Sequence, residues 1–110
     1  MYYICYNCGG EAISDFSIED RIDTLIRSHR HNQEVIRSVS NSLFIHAFRA
    51  RIAKGEIDHK DVTFIHGYYD GTSLYGIALH PDKTGRIDKW PDGFCDRFDK
   101  YMEILIDLIP

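Results

Sequence analysis

Cysteine is scarce in this sequence, and long apolar runs are missing from it. Three cysteines among 110 residues, an odd number with no secretory signal before them, argue against a disulfide framework. No apolar run approaches the roughly 20 residues that a membrane-spanning helix needs. The opening residues 1–8 lack the basic and apolar regions of a signal peptide. We therefore expect a cytoplasmic protein that has no membrane partner.

An excess of positive charge is also missing. Thirteen Lys plus Arg stand against seventeen Asp plus Glu, for a net charge of −4, which argues against nucleic-acid binding through overall basicity. We expect any contact with nucleic acid to be indirect. Two local basic clusters have the composition of solvated helix faces, with contact to a polyanion as the alternative. The first cluster contains Arg27, His29, Arg30, His31 and Arg37, and the second Arg49, Arg51 and Lys54.

The remaining composition is that of an ordinary globular domain. Hydrophobic residues make up 44% and charged residues 27% of the chain, and we find no internal repeat, low-complexity tract or linker. The length is enough for one modest core. We therefore predict a single domain over residues 1–110.

The apolar spacing predicts alternating strands and helices. Strands are predicted over residues 2–6, 32–39, 62–69 and 74–80, and helices over residues 18–30 and from about residue 42 to Gly55. Cys8-Gly9-Gly10 should break the first strand, Ser17 should cap the first helix, and Ser40 or Asn41 the second. Asp70-Gly71-Thr72 should turn the last two strands into a hairpin. The fold class is thus α/β, a small sheet with a β-α-β-α start that favours parallel pairing and right-handed crossovers, then a β-hairpin.

A rigid turn near the C-terminus should launch a final amphipathic helix. Trp90, the only tryptophan, precedes Pro91 and is pushed out of the helical region. Asp92 is then placed to cap a helix that begins near Phe94. Apolar residues recur there at spacings of three and four. They are Phe94, Phe98, Tyr101, Leu105 and Leu108.

The same stretch resembles the closing signature of a family of bacterial ABC-class ATPases, the OLD-like and RecF-like proteins of anti-phage defence. Its matching residues are Gly85, Arg86, Ile87, Trp90, Pro91, Asp92, Gly93, Phe94 and Asp96, with Cys95 where the family has a second Phe. The resemblance extends over residues 3–105, more loosely upstream. It implies that the chain resembles the C-terminal half of an ABC-type ATPase core.

Upstream, the chain departs from the family at the groups that handle ATP. Tyr6 stands where the family has the Walker B glutamate, and Val39 where it has the switch histidine. Asn7 matches the D-loop asparagine, and Ser38 and Ser40 keep the flanking hydroxyls. No Lys follows Gly9-Gly10, so the phosphate-binding loop is absent. The resemblance thus implies a degenerate nucleotide site, with no catalytic residue and no cofactor.

If this chain is such a C-terminal half without the rest of the ATPase, one strand edge of its sheet would be left open. Open strand edges pair with other chains. We therefore expect an accessory or regulatory subunit that binds a protein, either an ABC-class ATPase or a second copy of itself, in anti-phage defence. Tyrosines are frequent at interfaces, although each of these could equally half-fill a small core. The interface candidates are Tyr2, Tyr3, Tyr68, Tyr69 and Tyr75.

Other classes of function stay open. A small metal-dependent nuclease or toxin-like effector would use histidines as base and ligands, with Asp70 beside them. Its candidate residues are His29, His31, His66 and His80. A zinc site would need Cys5 and Cys8 with His29 and His31, but a His-x-His pair falls outside the usual zinc-finger spacing, so no metal is expected. A third possibility is a plain structural adaptor.

Overall fold

The structure, a computed structural model, describes residues 1–11, 14–29, 33–69 and 71–88. Strands and helices alternate through its first half, and a hairpin follows. The elements are β1 (Tyr2–Glu11), α1 (Ile18–Ser28), β2 (Val35–Val39), α2 (Ser42–Ala53), β3 (Val62–Tyr69) and β4 (Leu74–Leu79), with short 3₁₀ turns at Asp15–Ser17 and His59–Asp61. The predicted α/β class is confirmed.

The strands form a four-stranded sheet in the order β2-β1-β3-β4. β1 pairs in parallel with β2 on one side and with β3 on the other, as the β-α-β-α pattern predicts. β3 and β4 pair antiparallel, which confirms the hairpin. Among the described strands, β2 and β4 therefore form the two edges.

The predicted break in the first strand is wrong. β1 runs on through Cys8-Gly9-Gly10 to Glu11. Tyr6 and Glu11 both pair with Val39, so the register shifts between them. The register of β1 with β3 ends at Tyr6, and its register with β2 resumes only at Glu11, so Cys8-Gly9-Gly10 lies where regular pairing is interrupted. The glycines therefore distort the strand without ending it.

The core lies between the sheet and α2. Phe48 of α2 makes edge-to-face contacts with Tyr2 of β1 at 5.4 Å and with Phe64 of β3 at 6.1 Å between ring centroids. Every residue of α2 from Ser42 to Ala50 is buried. Ile18, Ile22 and Leu25 of α1 belong to the same cluster. Because α2 is buried on all sides, it carries apolar residues around more of its circumference than a surface helix does.

The ends of α2 follow from local chemistry. The side chain of Asn41 accepts a hydrogen bond from the backbone N–H of Leu43 at 3.0 Å, so Asn41 rather than Ser40 is the N-cap. Gly55, with φ of 79°, ends the helix in the left-handed conformation that favours glycine. Ser17 precedes α1 at the predicted position, but its side chain makes no capping hydrogen bond.

The second basic cluster, Arg49, Arg51 and Lys54, is not a solvated helix face. Arg49 is buried, with 6% of its surface exposed. Arg51 pairs with three carboxylates and links α2 to α1. The partners are Glu19 at 2.6 Å, Asp23 at 2.8 Å and Glu56 at 3.4 Å. Burial alone lowers the pKa of Arg51, but its hydrogen bonds to Glu19 and Asp23 outweigh burial and raise that pKa. Lys54 is the one exposed member of this cluster, so Arg49 and Arg51 offer little charge to a polyanion.

The predicted C-terminal helix and its apolar stripe lie outside the described residues. Within the described part of the chain, neither helix has the length and apolarity that crossing a bilayer requires.

Candidate functional site

The candidate residues lie at the carboxyl end of β2 and at the same level on β1 and β3, which continue further, to Glu11 and Tyr69. Tyr6 of β1 is the direct register partner of Val39 in β2 and of His66 in β3. Ser38 pairs with Cys5 one residue earlier, and the exposed Ser40 follows β2. In open parallel sheets, ligands usually bind outside the carboxyl ends of the strands. The structure thus brings together the positions that the family resemblance assigns to a degenerate nucleotide site.

Bulky and buried groups occupy this place. The ring of Tyr6 stacks on His66 at 6.3 Å between centroids, and Val39 is 1% exposed. Burial lowers the pKa of His66, so its imidazole is neutral at neutral pH. Asn7 continues β1 here, but its side chain lies outside what is described. The site therefore holds a stacked aromatic pair and a buried aliphatic side chain.

The described histidines of the nuclease hypothesis, His29, His66 and His80, are not gathered into one site. His29 stacks on Tyr2 at 4.3 Å, at the opposite end of β1 from His66. His80 is exposed just after β4, and His31 and Asp70 lie outside the described residues.

The side chains that the structure describes do not assemble the zinc candidates into a site. Cys5 is a free, half-buried thiol, and the side chain of Cys8 is not among those described. Within residues 1–11, 14–29, 33–69 and 71–88, no group of three or more His, Cys, Asp or Glu side chains is placed to hold a metal ion.

The tyrosine candidates divide between core and surface. Tyr2 is 4% exposed and packs against Phe48, so it is a core residue and not an accessible contact. Burial, reinforced by the charge of Asp61, raises the pKa of its hydroxyl. Tyr3 is half-buried, and Tyr75 on β4 is 44% exposed. Tyr68 and Tyr69 end β3, but their side chains lie outside what is described.

The sequence analysis named Tyr75 as an interface candidate but missed the apolar surface that Tyr75 forms on β4 with Ile77. Ile77 is 39% exposed, and it lies on the same side of β4 as Tyr75 because residues two apart in a strand share a face. The two side chains form what we call the β4 patch. At the opposite edge of the described sheet, Ile36 of β2 is 61% exposed. The period-two spacing of Tyr75 and Ile77 was the available signal.

Gly85, the first residue of the stretch that resembles the family signature, is held to α2 by Arg49. The guanidinium Nε of Arg49 donates to the carbonyl oxygen of Gly85 at 2.6 Å, and its Nη1 lies 3.0 Å from Nδ1 of His46. Because arginine only donates, His46 accepts at Nδ1 and carries its proton on Nε2. Gly85 has φ of 78°, and Ile87 is 9% exposed. These contacts give Gly85 a structural role.

The turn that presents Gly85 is organised by one carboxylate. Asp82 accepts hydrogen bonds from the backbone N–H and hydroxyl of Thr84, at 2.8 and 2.6 Å, and from the N–H of Arg86 at 3.1 Å. Burial alone raises the pKa of Asp82, but these hydrogen bonds outweigh burial and lower that pKa. The side chain of Arg86 is exposed. The rest of the signature, from Trp90 through Pro91, Gly93 and Phe94 to Asp96, lies outside the described residues.

Comparisons of the chain with protein-family models, with curated proteins and with solved structures find no significant match.

Proposed function

We propose that this chain is a non-catalytic accessory subunit that binds another protein through the β4 edge. The partner is an ABC-class ATPase or a second copy of the chain. The family resemblance supports the ATPase and a setting in anti-phage defence. The proposal treats the domain as a pseudoenzyme lobe.

The β4 patch is the observation that carries this proposal. Tyr75 and Ile77 are 44% and 39% exposed, and they stand side by side on a strand that has no further neighbour among the described strands. An edge strand offers backbone hydrogen bonds, and its side chains supply apolar contact and specificity. Protein partners that add a strand to a sheet use this combination.

The lack of catalysis is proposed from the side chains at the site around Tyr6, Val39 and His66. A phosphoryl-transfer site needs a metal, a phosphate cradle and a group that positions water. The described side chains at this site are instead Tyr6, Val39 and His66. Tyr6 and His66 stack on each other, and Val39 and His66 are buried. A neutral imidazole and a phenol stacked on it supply none of those functions in recognisable form.

The partner proposal is tested by affinity capture of the tagged chain from its native host, with matched variants. We expect wild type to retain a P-loop ATPase or an untagged copy of itself. The double variant Tyr75→Ser/Ile77→Thr should reduce the retained amount by about tenfold, since it removes two interface-type side chains. Ile36→Thr, which removes a more exposed apolar group from the other edge, should leave capture unchanged. Equal losses in both variants would contradict the assigned edge.

The pseudoenzyme proposal has its own test. We expect the isolated chain to show no ATP hydrolysis and no saturable binding of a fluorescent ATP analogue, with or without Mg²⁺. Tight nucleotide binding that Tyr6→Ala abolishes would overturn this part, and it would leave the partner proposal standing.

A further inference from the structure

We propose that a cleft between α1, β2 and the start of α2 binds a small organic anion, namely a carboxylate or phosphate carried on an apolar body about the size of one ring. The cleft encloses about 140 Å³. Its described lining is Arg21, Thr24 and Leu25 from α1, Arg37, Ser38 and Val39 from β2, and Phe44 from α2. This site lies beside β2, whereas the proposed partner edge is β4 on the other side of the sheet, so the two proposals can fail separately.

The floor of the cleft is apolar and rigid. Leu25, Val39 and Phe44 are 7%, 1% and 1% exposed, so each is fixed by core packing. A volume near 150 Å³ lined by apolar side chains is enough to hold benzene. The cleft therefore has room for a single ring or a short branched chain, and it does not have room for a whole nucleotide.

The rim of the cleft is positive. Arg21 and Arg37 both line it, and both are exposed. Arg37 uses Nη1 to donate to the carbonyl oxygen of Ile36 at 2.8 Å, which leaves other guanidinium N–H groups for a ligand. Guanidinium groups bind carboxylate and phosphate through paired hydrogen bonds.

Acidic groups do not neutralise the charge of Arg37 in the described part of the chain. The described residues that line the cleft include no Asp or Glu, and Arg37 forms no ion pair with any described residue. Two carboxylates of α1, Glu19 and Asp23, are drawn to Arg51 of α2. In a chain of net charge −4, the cleft is thus a local positive site over an apolar floor.

The two arginines, and not the hydroxyl of Thr24, would make the contacts to the anion. The hydroxyl of Thr24 already donates to the carbonyl oxygen of Asp20 at 2.9 Å, so only its lone pairs face a ligand and they repel an anion. Selectivity then requires both parts of the ligand, with the charge at the guanidinium groups and the ring on Val39 and Phe44. A neutral ring or a bare anion satisfies one half of the site.

The test is isothermal titration calorimetry of the full chain with phenyl phosphate and benzoate, compared with phenol and inorganic phosphate. We expect at least one aryl anion to bind with a dissociation constant of about 1 mM or tighter, as suits a ligand of this size. Phenol and inorganic phosphate should bind at least about tenfold more weakly. Arg37→Gln and Arg21→Gln should each weaken aryl-anion binding by about tenfold, the effect of losing a charged hydrogen bond.

Arg27→Gln is the matched control, because Arg27 is an exposed arginine on α1 that does not line the cleft. It should change the affinity by less than about twofold, because an exposed charge outside the cleft is screened by salt and makes no hydrogen bond to the ligand. Equal weakening by Arg27→Gln would overturn the site, since binding would then reflect diffuse charge. Equal affinity for phenol or for inorganic phosphate, or no aryl-anion binding at several millimolar, would overturn it as well.

Discussion

At the scale of single residues, burial decides what a charge does. The sequence grouped Arg49 with Arg51 and Lys54 as one solvated basic face. The structure instead buries Arg49 between His46 and the carbonyl of Gly85. The spacing of Arg49 and His46, three residues apart on one helix, was visible in the sequence. Their shared partner after β4 was not, because it lies 36 positions away from Arg49.

Arg49→Met should destabilise the fold by about 2–4 kcal/mol. The change keeps the apolar stem but leaves a buried acceptor on His46 and the carbonyl of Gly85 unsatisfied, and each such group costs about 1–3 kcal/mol. Urea unfolding followed by circular dichroism measures the change. Arg86→Gln, at an exposed arginine of the same turn, is the control and should shift stability by less than about 0.5 kcal/mol.

His66 predicts the direction of a pH effect. Burial sets its folded-state pKa below the ordinary value of 6.5, so the unfolded chain binds a proton more readily than the folded one. The free energy of unfolding should therefore decrease as pH falls below about 6.5 and towards the folded pKa.

Unfolding measured at pH 7.5 and at pH 5.5 checks this effect. His66→Gln should lose part of the difference between the two pH values, whereas His80→Gln, at an exposed position, should keep it. An unchanged difference in His66→Gln would contradict the assignment.

At the scale of secondary-structure elements, apolar spacing was a good guide where each element has one clear period. The hairpin formed by β3 and β4 follows from two β-rich runs around Asp70-Gly71-Thr72, and α2 follows from its apolar run and Gly55. β1 was predicted too short because glycine ordinarily breaks a strand, whereas here the pairing with Val39 resumes at Glu11. Long-range pairing, which the local sequence does not encode, decided that case.

The two helix starts give a matched pair of predictions. Asn41→Ala should cost about 1 kcal/mol, because its side chain accepts the N–H of Leu43 and caps α2. Ser17→Ala should be nearly neutral, because the side chain of Ser17 makes no capping bond to α1. Thermal or urea unfolding of both variants measures the difference. Equal effects would show that the two caps do not differ in solution.

At the scale of the whole molecule, topology brought the predicted site together. β1 pairs in parallel with β2 and β3, as the sequence pattern favoured, and the register of these pairs sets Tyr6 beside Val39 and His66. The proposed anion-binding cleft could not be predicted from the sequence. Arg21 and Arg37 belong to different elements, and only the packing of α1 beside β2 places both of them at the same cleft. The β4 patch could be predicted in part. The two-residue spacing of its side chains is visible in the sequence, but their exposure is not.

The central claim, that this domain works by binding another protein, is tested most directly by the intact mass of the complex that it forms. The chain should be expressed at its native level, purified gently and weighed by native mass spectrometry. We predict a mass above the 12.8 kDa of one chain, either a multiple of that value or that value plus the mass of an ATPase. A species of 12.8 kDa alone, unchanged across protein concentration, would contradict the account.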